Sequence, residues 1–318
     1  MNVLPTGSFQ TSDFQTRELR ARLRGLWLPL VTPFRNGEMD GPSLRRLVRH
    51  YAVRPIDGLI LGATSGEGLT LSVAELDHLV ALVREELAEC RRYLPVCLGL
   101  AGAATARMLD TLDETAAWDI DGYLVSSPYY LRPSQRGLKQ HFTALADHAA
   151  WPIVLYNIPY RCSVNLANET LLALAEHPNI VGLKDCCADR AASIELLRLR
   201  PRGFRVLTGE DAQYHDALCD GADGAILLSA HIETEAFAAV GAHLKAGNRE
   251  AAAACWRGIA ELTELLFAEP SPSPAKYWLA RAGLIDSAEV RSPMVETGHE
   301  LAARLDREIA RRTAASCA

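Results

Sequence analysis

A lysine ends one of the short apolar runs of this chain. The stretch at 179–189 reads "NIVGLKDCCAD", in which the strand formers Ile180 and Val181 lead towards Lys184. On this segment alone, a lysine exposed to solvent where a strand stops is the simpler interpretation. If the lysine is buried, however, burial disfavours its charged form, and the neutral amine can attack a ketone carbon to form an imine. The chemistry open to Lys184 therefore depends on the side chains around it.

Two phenols and a guanidinium that suit imine chemistry also follow short apolar runs. A phenol within reach of an imine can carry protons, which makes Tyr130 and Tyr156 candidate relays. Arg161 offers a planar fork that suits a substrate carboxylate. It could instead pair with an acidic neighbour, Glu210 or Asp211.

A glycine-rich segment, "GATSGEG" at 62–68, also follows an apolar run. It could be a phosphate cradle, but it lacks the GK[ST] ending of a P-loop. A strand-to-helix turn with free backbone N–H groups would hold a carboxylate well. Thr64 and Ser65 therefore become candidates for substrate binding, the alternative being that they only cap the helix that follows.

Eight short apolar runs recur along the chain, bounded by Gly, Pro, Asp or Ser. They are "GLWLPLVTP" (25–33), "IDGLILG" (56–62), "LPVCLGL" (94–100), "DGYLVSSP" (121–128), "PIVLYNIP" (152–159), "IVGLKD" (180–185), "FRVLTGE" (204–210) and "DGAILLSA" (223–230). Runs that are apolar on both faces are typical of parallel strands buried on both sides. Amphipathic segments such as "SVAELDHLVALVREELA" lie between them and predict helices.

Strands that alternate with helices predict an α/β fold, here a (β/α)8 TIM barrel. A doubly wound sheet usually needs fewer strands, and no GxGxxG follows the first run. The carboxyl ends of barrel strands meet at one rim, so Lys184, Tyr156 and Thr64 are expected to converge there.

The strand pattern ends near residue 245, which suggests three parts. We expect an N-terminal extension at 1–24, a catalytic barrel at 25–245 and a C-terminal helical domain at 246–318. In the last part, "REAAAACWRGIAELTELLFAE" reads as a helix, "PSPSP" breaks it, and two more helices follow.

Composition excludes several classes of protein. The 318 residues are 49% hydrophobic and 23% charged, as in a globular enzyme, and the net charge of -6 argues against binding to nucleic acid. No run approaches the roughly 20 apolar residues of a membrane span, and no apolar signal core is present near the N-terminus, so we expect a cytoplasmic protein without a membrane partner. No paired CxxC motif, histidine pair or carboxylate trio suggests a metal. The adjacent Cys186 and Cys187 fit small buried residues better than a redox pair.

Several blocks of the sequence resemble one family in order and spacing. They are "GATSGEGLTL", "SSPYYLRPSQRGLKQHF", "YNIPYR", "VGLKD", "LTGEDA" and "FAEPSPSPAKYWLARAGL". From about Gly25 to the C-terminus, the chain is similar to the dihydrodipicolinate synthase / N-acetylneuraminate lyase family. The resemblance implies a (β/α)8 barrel with a C-terminal helical domain, a homotetramer built as a dimer of dimers, and no metal or organic cofactor.

The resemblance also implies roles for individual residues. Lys184 would hold pyruvate or a related 2-oxo acid as a Schiff base, and Tyr156 would relay protons to that imine. Tyr130 would reach across a dimer into the neighbouring site, and Thr64 would link the two phenols. The Thr64–Ser65 turn would grip the carboxylate of the 2-oxo acid. The matching positions that line the pyruvate pocket are Gly209 and Ile226.

The sequence leaves more than one candidate for the second substrate. Arg161 matches the arginine that dihydrodipicolinate synthases use for aspartate semialdehyde. The motifs "KDCCAD" and "GEGLTL" depart from the synthase pattern, and the positions that would bind a lysine inhibitor hold Val73, Ala103 and Arg107. The alternative is a catabolic enzyme, either an aldolase or dehydratase of 2-oxo-3-deoxy sugar acids or a 1-pyrroline-4-hydroxy-2-carboxylate deaminase. A non-catalytic 2-oxo acid sensor is a third hypothesis, disfavoured because a sensor needs no proton relay.

His231, the histidine nearest the rim, is expected to be structural.

Overall fold

A computed structural model describes residues 13–316 of the chain. Eight parallel strands form a closed barrel in the order β1-β10-β9-β8-β7-β6-β5-β4. They are β1 (Gly25–Pro29), β4 (Gly58–Leu61), β5 (Val96–Leu100), β6 (Gly122–Ser126), β7 (Ile153–Asn157), β8 (Ile180–Asp185), β9 (Arg205–Thr208) and β10 (Gly224–Ile226). Each predicted apolar run supplies one barrel strand, so the TIM-barrel prediction is confirmed. A short antiparallel hairpin outside the barrel, β2 (Phe34–Arg35) with β3 (Glu38–Met39), was not predicted.

Helices separate the strands and continue beyond the last one. They are α1 (Asp13–Arg22), α2 (Gly41–Ala52), α3 (Val73–Glu89), α4 (Thr105–Thr115), α5 (Gln135–His148), α6 (Pro159–Cys162), α7 (Asn168–Ala175), α8 (Arg190–Leu199), α9 (Tyr214–Cys219), α10 (Thr234–Lys245), α11 (Arg249–Leu266), α12 (Ser273–Arg281) and α13 (His299–Ser316). The last three give the predicted helical C-terminal region, although the domain boundaries themselves stay a prediction. Within residues 13–316 no helix has the length and apolar character needed to cross a membrane.

The buried apolar side chains form two layers. The larger cluster lies between the barrel and the surrounding helices, and the smaller one contains Trp27, Ile60 and Ile226 among others. Strands buried on both faces explain the continuous apolar runs. A lysine on such a strand is therefore carried into an apolar environment.

The N-terminal segment contributes two leucines to the smaller cluster, Leu19 on α1 and Leu23 just after it. Leu19 and Leu23 are almost completely buried. A β-carbon added at Gly122 would lie 2.5 Å from a Leu19 methyl, and one added at Gly182 would lie 2.7 Å from a Leu23 methyl. These leucines therefore fill space that glycine leaves open at the amino end of the barrel. Residues 1–12 of the predicted extension lie outside the described residues.

Candidate active site

Lys184 lies inside the barrel, next to Tyr156, one of the two candidate phenols. It is the fifth residue of β8, and in the register with β7 it pairs with Tyr156. Its Nζ donates a hydrogen bond to Tyr156 Oη at 3.3 Å and lies 4.3 Å from the centre of the ring. Lys184 is only 5% exposed and Tyr156 6% exposed. The solvent-exposed interpretation of Lys184 is therefore wrong.

The surroundings of Lys184 favour its neutral form. Burial lowers the pKa of Lys184 from its ordinary value, and the nearby Cys186, Asp211 and Glu210 oppose this change. Burial also raises the pKa of Tyr156 well above its ordinary value, while a hydrogen bond with the side chain of Thr64 opposes the increase. Imine formation needs a neutral amine and a phenol that can carry protons, so both pKa shifts are in the direction that this chemistry requires.

The lysine side chain occupies the space beside Gly209. A β-carbon added at Gly209 would lie 2.4 Å from Cε of Lys184 and 2.5 Å from Sγ of Cys186. The Gly209 backbone N–H donates to the carbonyl of Asp185 at 2.8 Å, which fixes this approach. Gly209 thus adjoins the lysine, and Ile226 is fully buried inside the barrel on β10; that both line a pyruvate pocket stays a prediction.

The glycine-rich segment forms a tight turn at the end of β4. Thr64–Gly66 is a single 3₁₀ turn, and Thr32 Oγ1 donates to the Gly66 carbonyl at 2.8 Å. The first N–H groups of such a turn have no partner within it and can receive an anion. Neither Thr64 nor Ser65 caps the next helix, because Ser72 does so in a capping box with Glu75. The capping alternative is therefore wrong for α3.

Tyr130 and Arg161 lie on the surface of the single chain. Tyr130 is 87% exposed and has a positive φ of 69°, a conformation that non-glycine residues rarely adopt. Arg161 is exposed on α6, and within residues 13–316 it makes no salt bridge with Glu210 or Asp211. Its charge is close enough to lower the pKa of Lys184. The chain by itself therefore brings Lys184, Tyr156 and Thr64 together, whereas the side chain of Tyr130 is exposed to solvent.

The sequence analysis did not identify Cys186 and Asp211 as neighbours of Lys184. Cys186 is 2% exposed, and burial raises the pKa of its thiol. Asp211 is buried and accepts the Ser229 N–H at 2.6 Å, and burial raises its pKa to about 6. The alternation of side chains along a strand could have placed Cys186 on the same side as Lys184. Asp211 carried no comparable signal.

The remaining polar candidates are held by backbone and side-chain contacts. His231 is 1% exposed, and its Nδ1 lies 2.8 Å from the carbonyl of Leu228. That contact fits the structural role expected of it. Asp185 accepts a hydrogen bond from Ser193 Oγ at 2.7 Å and one from the Cys187 N–H at 3.1 Å, which orders the chain just after the lysine.

Known proteins match this chain over most of its length. Residues 22–311 match the Dihydrodipicolinate synthetase family. A Clostridium acetobutylicum protein named 4-hydroxy-tetrahydrodipicolinate synthase 2 is 39% identical over 287 residues, which is 90% of this chain and 99% of the relative. The 4-hydroxy-tetrahydrodipicolinate synthase structure from Methylacidiphilum fumariolicum SolV superposes with a TM-score of 0.85 at 32% identity, covering 91% of this chain and 95% of the other. The dihydrodipicolinate synthase from Acinetobacter baumannii, solved in complex with pyruvate, gives a TM-score of 0.84 at 30% identity over 89% of this chain and 97% of the other. The chain belongs to the dihydrodipicolinate synthetase family.

Proposed function

We propose that the chain is a lyase that condenses pyruvate with aspartate semialdehyde through an imine on Lys184. The observation that carries the proposal is the buried amine of Lys184, 3.3 Å from the phenol of Tyr156 in surroundings that lower its pKa. The related Acinetobacter baumannii enzyme was solved with pyruvate, which supports pyruvate as the first substrate here.

The first half of the reaction follows from the groups around Lys184. The neutral amine attacks the C2 carbonyl carbon of pyruvate, and a proton moves to the carbonyl oxygen, which then leaves as water. The resulting protonated imine withdraws electrons from the neighbouring methyl carbon, so that carbon can lose a proton and become a nucleophile. Tyr156, with Thr64 beside it, is proposed to carry these protons, and the Thr64–Ser65 turn to hold the pyruvate carboxylate.

The second half needs an aldehyde that accepts the new carbon–carbon bond. Arg161 is proposed to hold the carboxylate of aspartate semialdehyde, because its guanidinium is exposed near Lys184 and makes no salt bridge within the described residues. Synthase names among the relatives support the same substrate.

A second copy of the chain is proposed to complete the site. Tyr130 is almost fully exposed and its backbone is held in a rare conformation, which suits a side chain that is inserted into a neighbouring subunit. We therefore propose a homotetramer built from dimers, in which each Tyr130 serves the partner's Lys184.

Borohydride trapping tests the imine. The chain is incubated with pyruvate, reduced with borohydride and weighed intact by mass spectrometry. We expect one pyruvate-derived adduct on the wild-type chain and none on Lys184→Ala. If no 2-oxo acid gives an adduct on the wild-type chain, the lyase proposal is wrong and a sensor becomes the better interpretation.

A coupled assay then tests the second substrate. Pyruvate and aspartate semialdehyde are supplied together with a downstream reductase, and the rate is compared with those for a panel of 2-oxo-3-deoxy sugar acids and hydroxylated pyrroline carboxylates. We expect the semialdehyde to give the highest kcat/KM. Fast turnover of a panel member with negligible use of the semialdehyde would instead establish the catabolic alternative suggested by "KDCCAD".

A further inference from the structure

A buried ion pair joins the C-terminal helices to the glycine-rich segment. Lys276 Nζ on α12 lies 2.8 Å from Glu67 Oε1, and the two side chains are 0% and 2% exposed. Among residues 13–316 no other salt bridge has both side chains buried to this degree. The proposed chemistry uses neither residue. Their position therefore needs another explanation.

The C-terminal region makes a second contact with the carboxylate of Glu67. Glu67 Oε2 accepts the backbone N–H of Arg291 at 2.8 Å. The Arg291 guanidinium also donates to the Thr70 carbonyl at 3.0 Å and pairs with Glu75. The ring of Phe34 lies 4.4 Å from Lys276 Nζ and 4.4 Å from the Arg291 guanidinium carbon. The segment after the Thr64–Gly66 turn is thus held at Glu67 and again at Thr70.

Glu67 transmits this restraint directly to the turn. It follows Gly66 in the left-handed conformation, with φ of 52°, and its N–H donates to the Thr64 carbonyl at 3.1 Å. A shift of Glu67 therefore changes the orientation of the N–H groups at Thr64 and Ser65. Stability alone is a poor reason for such a pair, because well-packed apolar residues often replace a buried ion pair without loss.

We propose that Glu67 and Lys276 are positioning residues, which hold the Thr64–Ser65 turn in the geometry that binds the substrate carboxylate. This inference rests on the proposed function, in which that turn receives the carboxylate of a 2-oxo acid. It assigns to the C-terminal helices a part in substrate binding, although α12 supplies no group that touches the substrate.

The test uses the pyruvate concentration that gives half-maximal borohydride trapping. In Lys276→Met the apolar length of the side chain is kept and the charge is lost. We expect the half-saturating concentration to rise about tenfold, while trapping at saturating pyruvate still occurs because Lys184 is intact. The double variant Glu67→Gln/Lys276→Met contains no unpaired buried charge. It should fold if the single variant does not, and it should keep the raised half-saturating concentration.

Two control variants on α12 separate positioning from stability. Leu279→Ala removes a completely buried side chain from α12, so it should lower Tm without changing half-saturation. Arg281→Met removes a half-exposed partner of Asp306 and should change neither. The inference is wrong if Leu279→Ala raises the half-saturating pyruvate concentration as much as Lys276→Met does. It is also wrong if the double variant has the half-saturating concentration of the wild type.

Amide hydrogen exchange gives a readout that does not need the imine. We expect Lys276→Met to speed exchange at 64–70 relative to Leu279→Ala, with the barrel strands exchanging alike in both variants. Equal exchange at 64–70 in the two variants would contradict the inference. A wild-type chain that fails to trap pyruvate would instead contradict the proposed function, and the exchange result would still decide whether Lys276 holds the turn.

Discussion

At the scale of single residues, the position of the Lys184 side chain depends on having glycine, which lacks a side chain, at position 209. A methyl group there would overlap Cε of the lysine, which would have to leave its place beside Tyr156. We expect Gly209→Ala to slow pyruvate trapping about 100-fold, the loss that a misplacement of roughly 1 Å can cause. The rate of adduct formation measures this.

A glycine on a distant helix provides the control for that substitution. Gly258 lies on α11, and a β-carbon there would meet nothing within 4 Å. Gly258→Ala should trap pyruvate at the wild-type rate and raise the unfolding free energy by about 1 kcal/mol, because alanine favours a helix. Equal rates for the two alanine variants would show that Lys184 tolerates a methyl group at 209.

Asp211 makes a pH-dependent contribution to stability that can be measured separately. Burial raises its pKa from 3.8 to about 6 in the folded chain, so the folded state binds the proton more tightly than the unfolded state. The resulting stabilisation is present below about pH 4 and is lost as the pH rises through about 6, with a total on the order of 3 kcal/mol. Urea unfolding at pH 4 and pH 7 should therefore show Asp211→Asn gaining this much relative to the wild type at the higher pH. A constant difference between the two proteins would contradict the prediction.

The sequence predicted that Lys184 and Tyr156 lie together better than it predicted their surroundings. Lys184 and Tyr156 could be found because each lies near the carboxyl end of an apolar run, and barrel geometry brings those ends together. The groups on the other side of Lys184 could not be found in this way. Asp211 is placed by a contact with Ser229 that no local pattern encodes. The need for glycine at 209 likewise depends on the path of a side chain from the neighbouring strand.

At the scale of elements, the length of each strand or helix decided whether the sequence could predict it. The barrel strands were recognisable because each is a continuous apolar run between turn residues. The β2–β3 hairpin has two residues in each strand, which is too few to show a period. The buried leucine of α1 is Leu19, and Leu23 follows the helix; the glycines next to these leucines are distant in sequence.

The helix α1 and the residue that follows it, Leu23, should contribute substantially to stability and little to chemistry. Leu23 is fully buried at the end of the barrel away from Lys184, so we expect Leu23→Ala to lower the unfolding free energy by about 2–5 kcal/mol in urea titrations. Pyruvate trapping in the folded variant should match the wild type. Phe14 on the same helix is 74% exposed, and Phe14→Ala should cost less than about 0.5 kcal/mol. Similar losses for both variants would mean that the barrel end does not depend on Leu23.

At the scale of the whole molecule, mixed oligomers can show which subunit Tyr130 serves. Tyr130→Phe and Lys184→Ala should each be inactive in the coupled assay. If Tyr130 enters the neighbouring site, a mixed dimer contains one site with both Lys184 and Tyr130. Coexpression of the two variants should then restore about a quarter of the wild-type rate, since half of the dimers are mixed and each has one intact site of two.

The same mixture gives a clear negative result if the tyrosine acts within its own subunit. No mixed dimer would then contain a complete site, and coexpression would restore nothing. Sedimentation of the mixture checks that the subunits have assembled, so that lost activity is not confused with lost association.

Leu19 on α1 and Leu23 just after it belong to the apolar cluster that packs the inside of the barrel. Because side chains pack the barrel interior, a small molecule is expected to reach Lys184 from the carboxyl ends of the strands. Under the proposed chemistry, pyruvate bonded to Lys184 lies deeper in the barrel than the second substrate does. The proposed function therefore implies that the keto acid binds before the aldehyde and that the product leaves before the next keto acid binds.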